Sequence, residues 1–238
     1  TMVWTKTAAN TWLIKNNGEP IVITYRVFAN RKFVASNYVD EELAYLSPAG
    51  IFLYPANELN QSSTIQIKPF RNWNRVATGL DSLPGKTFTY RSPDFDILYD
   101  SPFLMGSKLE DLTPFKVNGI PHYFTGYKMG EFDKVEFVED LSKIIKAASD
   151  IIGEIPYNHY SFLAIGPGGG GIEHLNSTSI SFSGQGLANR GAKIRTYNFL
   201  AHEYFHHYNV KRIRPVELGP FDYDKGSRTN MLWVSEGL

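Results

Sequence analysis

Near residue 130 the apolar residues of this 238-residue chain change their period, and that change limits what the chain can fold into. Before it they alternate. In "IVITYRVF" (21–28) Ile21, Ile23, Tyr25 and Val27 share one face, with Thr24 and Arg26 on the other. "STIQIKPF" (63–70) alternates through Ile65 and Ile67, and "KTFTY" (86–90) through Phe88 and Tyr90. A period of two belongs to a half-buried strand. Turn clusters such as "NNGEP", "SLPG" and "RSPDFD" separate these runs, and short strands divided by turns predict an antiparallel β-sandwich. After the change, "VEFVEDLSKIIKAASDIIG" (135–153) spaces Val138, Leu141, Ile145, Ala148 and Ile152 three or four apart. That is a helical stripe, with Gly153 as its stop. Strands are expected at "YSFLAI" (160–165) and "STSISFS" (177–183), on either side of a glycine run. A second helix is expected over "TYNFLAHEYFHHYNV" (196–210), with Thr196 as N-cap and Pro215 preventing a long extension. The expected fold class is α+β in two domains: a β-sandwich over 1–128 and an α/β domain over 129–238.

Composition narrows the function classes. Apolar residues make up 42% and charged residues 20%, as in ordinary folded proteins. Formal net charge is zero, so the footprint of a nucleic-acid binder is missing. The basic cluster Lys211, Arg212 and Arg214 reads as charge complementing a helix C-terminus. No apolar run reaches membrane-spanning length. There is no cysteine, so disulfides and thiolate metal sites are excluded, and any zinc must be held by His and carboxylate. The chain opens on "TMVWTKTAAN" with no signal peptide; the absence of cysteine is compatible with export, and the expectation leans to the periplasm or the cell exterior. Oligomeric state is left open.

"LAHEYFHHYNVKR" (200–212) carries the chemistry. His202, Glu203 and His206 form HExxH. Four residues are slightly more than one helical turn, so the two imidazoles stand one above the other on one face. There they can take two corners of a zinc tetrahedron. Glu203, one step round, is placed to accept a proton from an activated water and pass it to a leaving amine. The rival reading is a helix whose histidines are satisfied by neighbours. His207 lies about 100° from His206 and is expected at the surface or behind the ligands, not among them. A third ligand is still needed. The pattern with a third histidine fails, because its positions hold Asn209 and Arg212. Of the following glutamates, Glu217 lies in the turn-like "RPVELGPF" and Glu236 in the compact apolar "MLWVSEGL", and Glu236 is preferred.

A second constellation is "GPGGGGIEHLNSTSI" (166–180). Its glycines, Gly170 and Gly171 at the end of the run, let backbone approach a ligand closely or form a flexible loop. No Lys-Ser/Thr follows, which argues against phosphate binding. Glu173 suits a carboxylate that pairs with a free α-ammonium and sets which bond reaches the zinc; as a lone residue it also suits a solvated loop.

Taken together, "GGGGIEHLNS", "LAHEYFHHYNVKRIRP" and "LWVSEGL", in that order, resemble the glycyl aminopeptidase family of zinc metallopeptidases, thermolysin-like enzymes that commonly carry a C-terminal PDZ domain. "LYDSPFLMG" (98–106) resembles the family's N-terminal domain. The resemblance implies a thermolysin-like catalytic domain behind the β-sandwich. It implies one Zn2+ on His202, His206 and Glu236, with Glu203 as general base. Glu173 would recognise the substrate amine, and His174 would line the cleft beside it. The implied activity is release of N-terminal glycine or alanine from peptides with a free N-terminus. Family members continue well past the position of Glu236, so the chain is expected to be a piece of a longer one, with an oxyanion-stabilising tyrosine beyond Leu238. The alternatives are a zinc endopeptidase of the same fold and a peptide-binding module without turnover.

Overall fold

In the computed structural model, which describes residues 3–237, the first hundred residues form three groups of short antiparallel strands. In chain order they are β1 (Trp4–Ala8), β2 (Thr11–Ile14), β3 (Tyr38–Val39), β4 (Leu43–Leu46), β5 (Ser63–Gln66), β6 (Arg75–Thr78), β7 (Asp81–Ser82) and β8 (Thr89–Ser92), then the short helix α1 (Phe95–Tyr99) and β9 (Phe103–Gly106). β1 and β2 make a separate ribbon, β3-β4-β9-β6 a four-stranded sheet, and β5-β8-β7 a three-stranded one. The two larger sheets share a core. Ala44, Phe103 and Met105 from one meet Ile65 and Tyr90 from the other, with Phe95 and Leu98 of α1 between them.

The expected strand over 21–28 does not form. Val22 is 93% exposed and Phe28 86%, and the segment is tied down by a side chain, the Tyr25 hydroxyl donating to the Ile51 carbonyl at 2.5 Å. Alternation defines two faces, but a strand also needs a neighbouring edge, and none is offered here.

The second part is built on one mixed sheet. β10 (Leu109–Asp111), β11 (Phe115–Val117) and β12 (Ile120–Tyr127) precede α2 (Lys134–Ile152); β13 (Tyr160–Ala164), β14 (Gly171–Glu173) and β15 (Ser177–Ile180) follow it; α3 (Arg190–Phe205) and α4 (Leu232–Glu236) close the chain. The order is β10-β12-β13-β15-β14, with β11 beside β12, so β14 forms an edge. β12, β13 and β15 run parallel, and β14 returns antiparallel to β15. The change of sheet therefore falls between Gly106 and Leu109, earlier than the change of period near 130. Residues 109–127 precede the helical stripe in sequence, and local spacing does not say which sheet a strand joins.

α2 forms as its stripe predicts. Asp133 caps it, accepting from the Glu136 N–H at 2.9 Å, and Gly153 ends it at φ +94. Leu141, Ile145 and Ala148 are buried with Phe124, Phe162, Leu200 and Tyr204 in the core between the sheet and helices α2 and α3. A third cluster joins the two parts: Leu43, Tyr45 and Leu104 pack on Leu109, Tyr127, Leu163 and Ile165. No helix among the described residues is long and apolar enough to cross a membrane.

This core also holds polar groups. His122 is fully buried on β12; its Nδ1–H donates to the Ile120 carbonyl at 3.0 Å, and its Nε2 receives the Tyr157 hydroxyl at 2.8 Å. Burial holds its pKa down to about 4. An unfolded imidazole protonates near 6.5, so the stability from keeping His122 neutral is present above that pH and is lost as pH falls towards 4. Between pH 7 and 4.5 this one group should remove on the order of 2 kcal/mol. Urea unfolding at the two pH values should show that loss in the native sequence and a smaller one in His122→Gln. Equal losses in both would assign the acid sensitivity elsewhere.

Candidate metal centre

α3 begins earlier than the sequence suggests. Asn189 is its N-cap and accepts from the Ala192 N–H at 3.0 Å. Thr196 lies inside the helix, where its hydroxyl donates to the Gly186 carbonyl at 2.8 Å. Thr and Asn are both good caps, and the preceding "RGAKIR" is polar enough to hide a helical turn. The helix ends at Phe205 with His206 as its C-cap, so HExxH occupies the last turn.

Leu200 and Tyr204 seat α3 in the core with no solvent exposure. The opposite side presents His202 and His206, whose Nε2 atoms stand 2.9 Å apart. Glu236, on α4, brings its Oε2 to 3.4 Å from the first and 3.7 Å from the second. Among the described residues these three are grouped closely enough to hold a metal ion. The donor set suits zinc: a tetrahedral ion with bonds near 2.0–2.1 Å separates its ligand atoms by roughly 3.3 Å. His206 Nδ1–H donates to the Asn209 carbonyl at 3.1 Å, which fixes the tautomer and leaves the Nε2 lone pair facing the cluster. Asn209 also donates from Nδ2 to the Val234 carbonyl at 3.2 Å, tying α4 to the end of α3. One asparagine thus orients one histidine and holds the helix that carries Glu236. Sequence reasoning used Asn209 only to reject a motif.

Glu203 is 7% exposed. Burial, followed by the charges of Glu173 and Glu236, raises its pKa to about 7. It has room because residue 171 is glycine: a methyl group there would lie 2.5 Å from the Glu203 carboxyl carbon and 2.8 Å from the Phe199 ring. In a strand, residues two apart share a face, so Glu173 stands on the side of Gly171 that meets Glu203. Gly170, at φ +97, makes the turn into this strand and packs under Phe33 from the first part of the chain.

Two neighbouring histidines lie inside the fold. His207 is completely buried, among the rings of Tyr157, Tyr160, Tyr204 and Tyr208, and outside the metal cluster. Burial and the nearby Arg212 guanidinium keep it neutral, its pKa lowered to about 2. A step of 100° leads to the surface only when nothing covers that side of the helix, and here the sheet and the following loop both do. His174, expected beside the cleft, is 5% exposed and has its Nδ1 on Asp100 Oδ1 at 3.2 Å. Glu217, the discarded third ligand, sits in an exposed turn at Val216–Leu218.

Residues 1–107 match the model of the Peptidase M61 N-terminal domain, and residues 195–238 match the model of the M61 glycyl aminopeptidase. No curated protein matches the sequence. Among solved structures, an aminopeptidase N family protein from Idiomarina loihiensis superposes with a TM-score of 0.89 at 26% identity, over 99% of this chain. The match takes in 42% of that longer chain. Legionella pneumophila aminopeptidase A in complex with aspartic acid gives a TM-score of 0.45 at 14% identity, over 73% of this chain and 23% of its own.

The buried carboxyl has a consequence for the metal-free chain. An unfolded glutamate loses its proton near pH 4.5 and the folded Glu203 near 7. The folded state therefore binds more protons in between, and stability falls as pH rises through that window. Glu203→Gln should stabilise the metal-free chain by on the order of 2 kcal/mol at pH 8 and have little effect at pH 4.5, read by denaturant unfolding. A separate check is Gly171→Ala, which must displace Glu203 or Phe199. It should lower the melting temperature while leaving α2 intact by circular dichroism.

Proposed function

We propose that this chain, which belongs to the M61 glycyl aminopeptidase family, carries the metal site and proton-transfer group of a zinc aminopeptidase acting on peptides with a free N-terminus. The observation that carries this reading is the convergence of His202 Nε2, His206 Nε2 and Glu236 Oε2 beside the buried Glu203. These three residues would hold one zinc ion per chain, and zinc bound there supplies Lewis acidity towards water and the scissile carbonyl.

The protein's own groups do the rest. Glu203, whose proton affinity is raised by burial, accepts the proton of the attacking water and returns it to the departing amine. The edge strand β14 offers backbone groups to an extended peptide lying beside it. Glu173, on the Glu203 side of that strand, pairs with the substrate ammonium and limits cleavage to the first peptide bond. Preference for glycine and alanine belongs to this reading, as does action in the periplasm or outside the cell. The two sheets around one core in the first part are read as a β-sandwich domain, and the mixed sheet with α2, α3 and α4 as the start of a thermolysin-like domain. The similar structure from Idiomarina loihiensis carries the aminopeptidase N family name, which supports the peptidase class.

Zinc content comes first. Elemental mass spectrometry on protein purified without added metal should find about one zinc per chain, lost in His206→Ala and kept in Glu203→Gln. Glu203→Gln should lower hydrolysis of glycyl peptides at least about a hundredfold. A chain that takes up no zinc on titration sinks the metal reading. Cleavage of N-acetylated peptides as fast as free ones would make the enzyme an endopeptidase.

A further inference from the structure

Asp100 has no part in the site as described, yet three of the family-like segments converge on it. It ends α1, within "LYDSPFLMG". Its Oδ2 accepts from the Leu175 N–H at 2.7 Å, and its Oδ1 accepts from Lys211 Nζ at 2.8 Å and faces His174 Nδ1 at 3.2 Å. His174 and Leu175 follow directly on Glu173, and Lys211 lies in "NVKRIRP" after the metal-binding helix. Burial works against the Asp100 charge, but Lys211 and His174 outweigh it and hold the carboxyl below its ordinary pKa.

The same turn is gripped from the other side. Arg212 donates to the Leu175 carbonyl at 2.9 Å and to Asn176 Oδ1 at 3.0 Å, and also to the carbonyls of His207 at 2.8 Å and Pro156 at 3.0 Å. Both polar groups of the Leu175 backbone are therefore held, the N–H by Asp100 and the carbonyl by Arg212. Lys211 and Arg212 are themselves fixed to the end of the ligand helix: the Lys211 N–H donates to the His206 carbonyl at 3.0 Å and the Arg212 N–H to the Tyr208 carbonyl at 3.2 Å. The basic pair that reads as complement to a helix terminus instead links that terminus to the turn after β14.

We propose that Asp100 is a positioning residue for substrate recognition: through Leu175, His174 and Lys211 it fixes where Glu173 stands relative to His202, Glu203 and His206. The inference rests on the reading of Glu173 as the ammonium-binding carboxylate. Recognition of an ammonium by one carboxylate, beside a metal held on another element, depends on their separation to within about half an ångström. The strand bearing Glu173 is an edge with one neighbour, so its far end needs such an anchor.

The test uses two probes on the zinc-loaded chain by titration calorimetry. Glycine hydroxamate has a free ammonium, and acetohydroxamate offers the same metal-binding head without one. The native chain should prefer glycine hydroxamate, and Glu173→Gln should abolish the preference. Asp100→Asn should lower the preference about tenfold while zinc content and acetohydroxamate affinity stay unchanged. Asp100→Glu, which keeps the charge, should recover part of it. A preference intact in Asp100→Asn but lost in Glu173→Gln overturns the role of Asp100 and leaves that of Glu173 standing. A preference intact in Glu173→Gln overturns both. In the metal-free chain, hydrogen exchange over 171–176 should quicken about tenfold in Asp100→Asn with α2 unaffected; unchanged exchange there also overturns the proposal. If Asp100→Asn does not fold, Lys211→Met removes one of the three partners and should move both readouts in the same direction.

Discussion

Leu200 and Tyr204, one turn apart and both without solvent exposure, seat α3 on the mixed sheet, and the place of every group in the site follows from that seating. Helical geometry then puts His202 and His206 on the side away from this contact, one above the other. Glu203 falls between the two sides and runs into the edge strand at Gly171. A rotation of the helix by even part of a residue would carry the histidines away from Glu236 or press Glu203 into the strand. The apolar contact and the glycine together leave one orientation open.

The end of α3 is held differently, by polar groups that are themselves buried. Tyr157 and Tyr204 join their hydroxyls at 2.6 Å, and Tyr157 also reaches His122. Arg212 satisfies four acceptors from three separate segments. Leaving any of these groups unpaired would cost about 1–3 kcal/mol, and more for the guanidinium, so the network tolerates few alternative arrangements. Rigidity of this kind suits a site in which three ligand atoms from two helices must stay within a few ångströms of each other. His207 Nε2 is left without a partner inside this network. The surrounding tyrosine rings give it a polarisable lining in place of a hydrogen bond.

Local spacing made part of this legible. HExxH, the stripe of α2 and the Asp133 and Gly153 ends of that helix are patterns within one segment, and the chain alone determines them. The pairing of Glu236 with the histidines could be reasoned from the need for a third ligand, although nothing local marks it. What escaped depends on partners far away in sequence. The run 21–28 has a strand's alternation and no edge to join. Residues 109–127 precede the helical stripe yet belong to the second sheet, and pairing partners are not written in local spacing. His207 lies off the ligand face but under other elements. Asp100 and Asn209 act on backbone groups 75 and 25 residues distant, and backbone groups leave no signature in a side-chain pattern.

Charge explains why the site needs so firm a frame. Glu173 and Glu236 both act on Glu203, and both push its proton affinity upwards. Three carboxylates drawn together at the end of one helix repel one another unless cations arrive. A cation where Glu236 meets the histidines, or one beside Glu173 on the face of β14 that meets Glu203, would relieve that repulsion. Without those cations the fold must supply the free energy that keeps the carboxylates together, and the aromatic core behind α3 is where it has most to give. Cations that bind the folded state alone then return that energy as stability. A buried acid that titrates near neutrality is what such a balance of repulsion and burial produces.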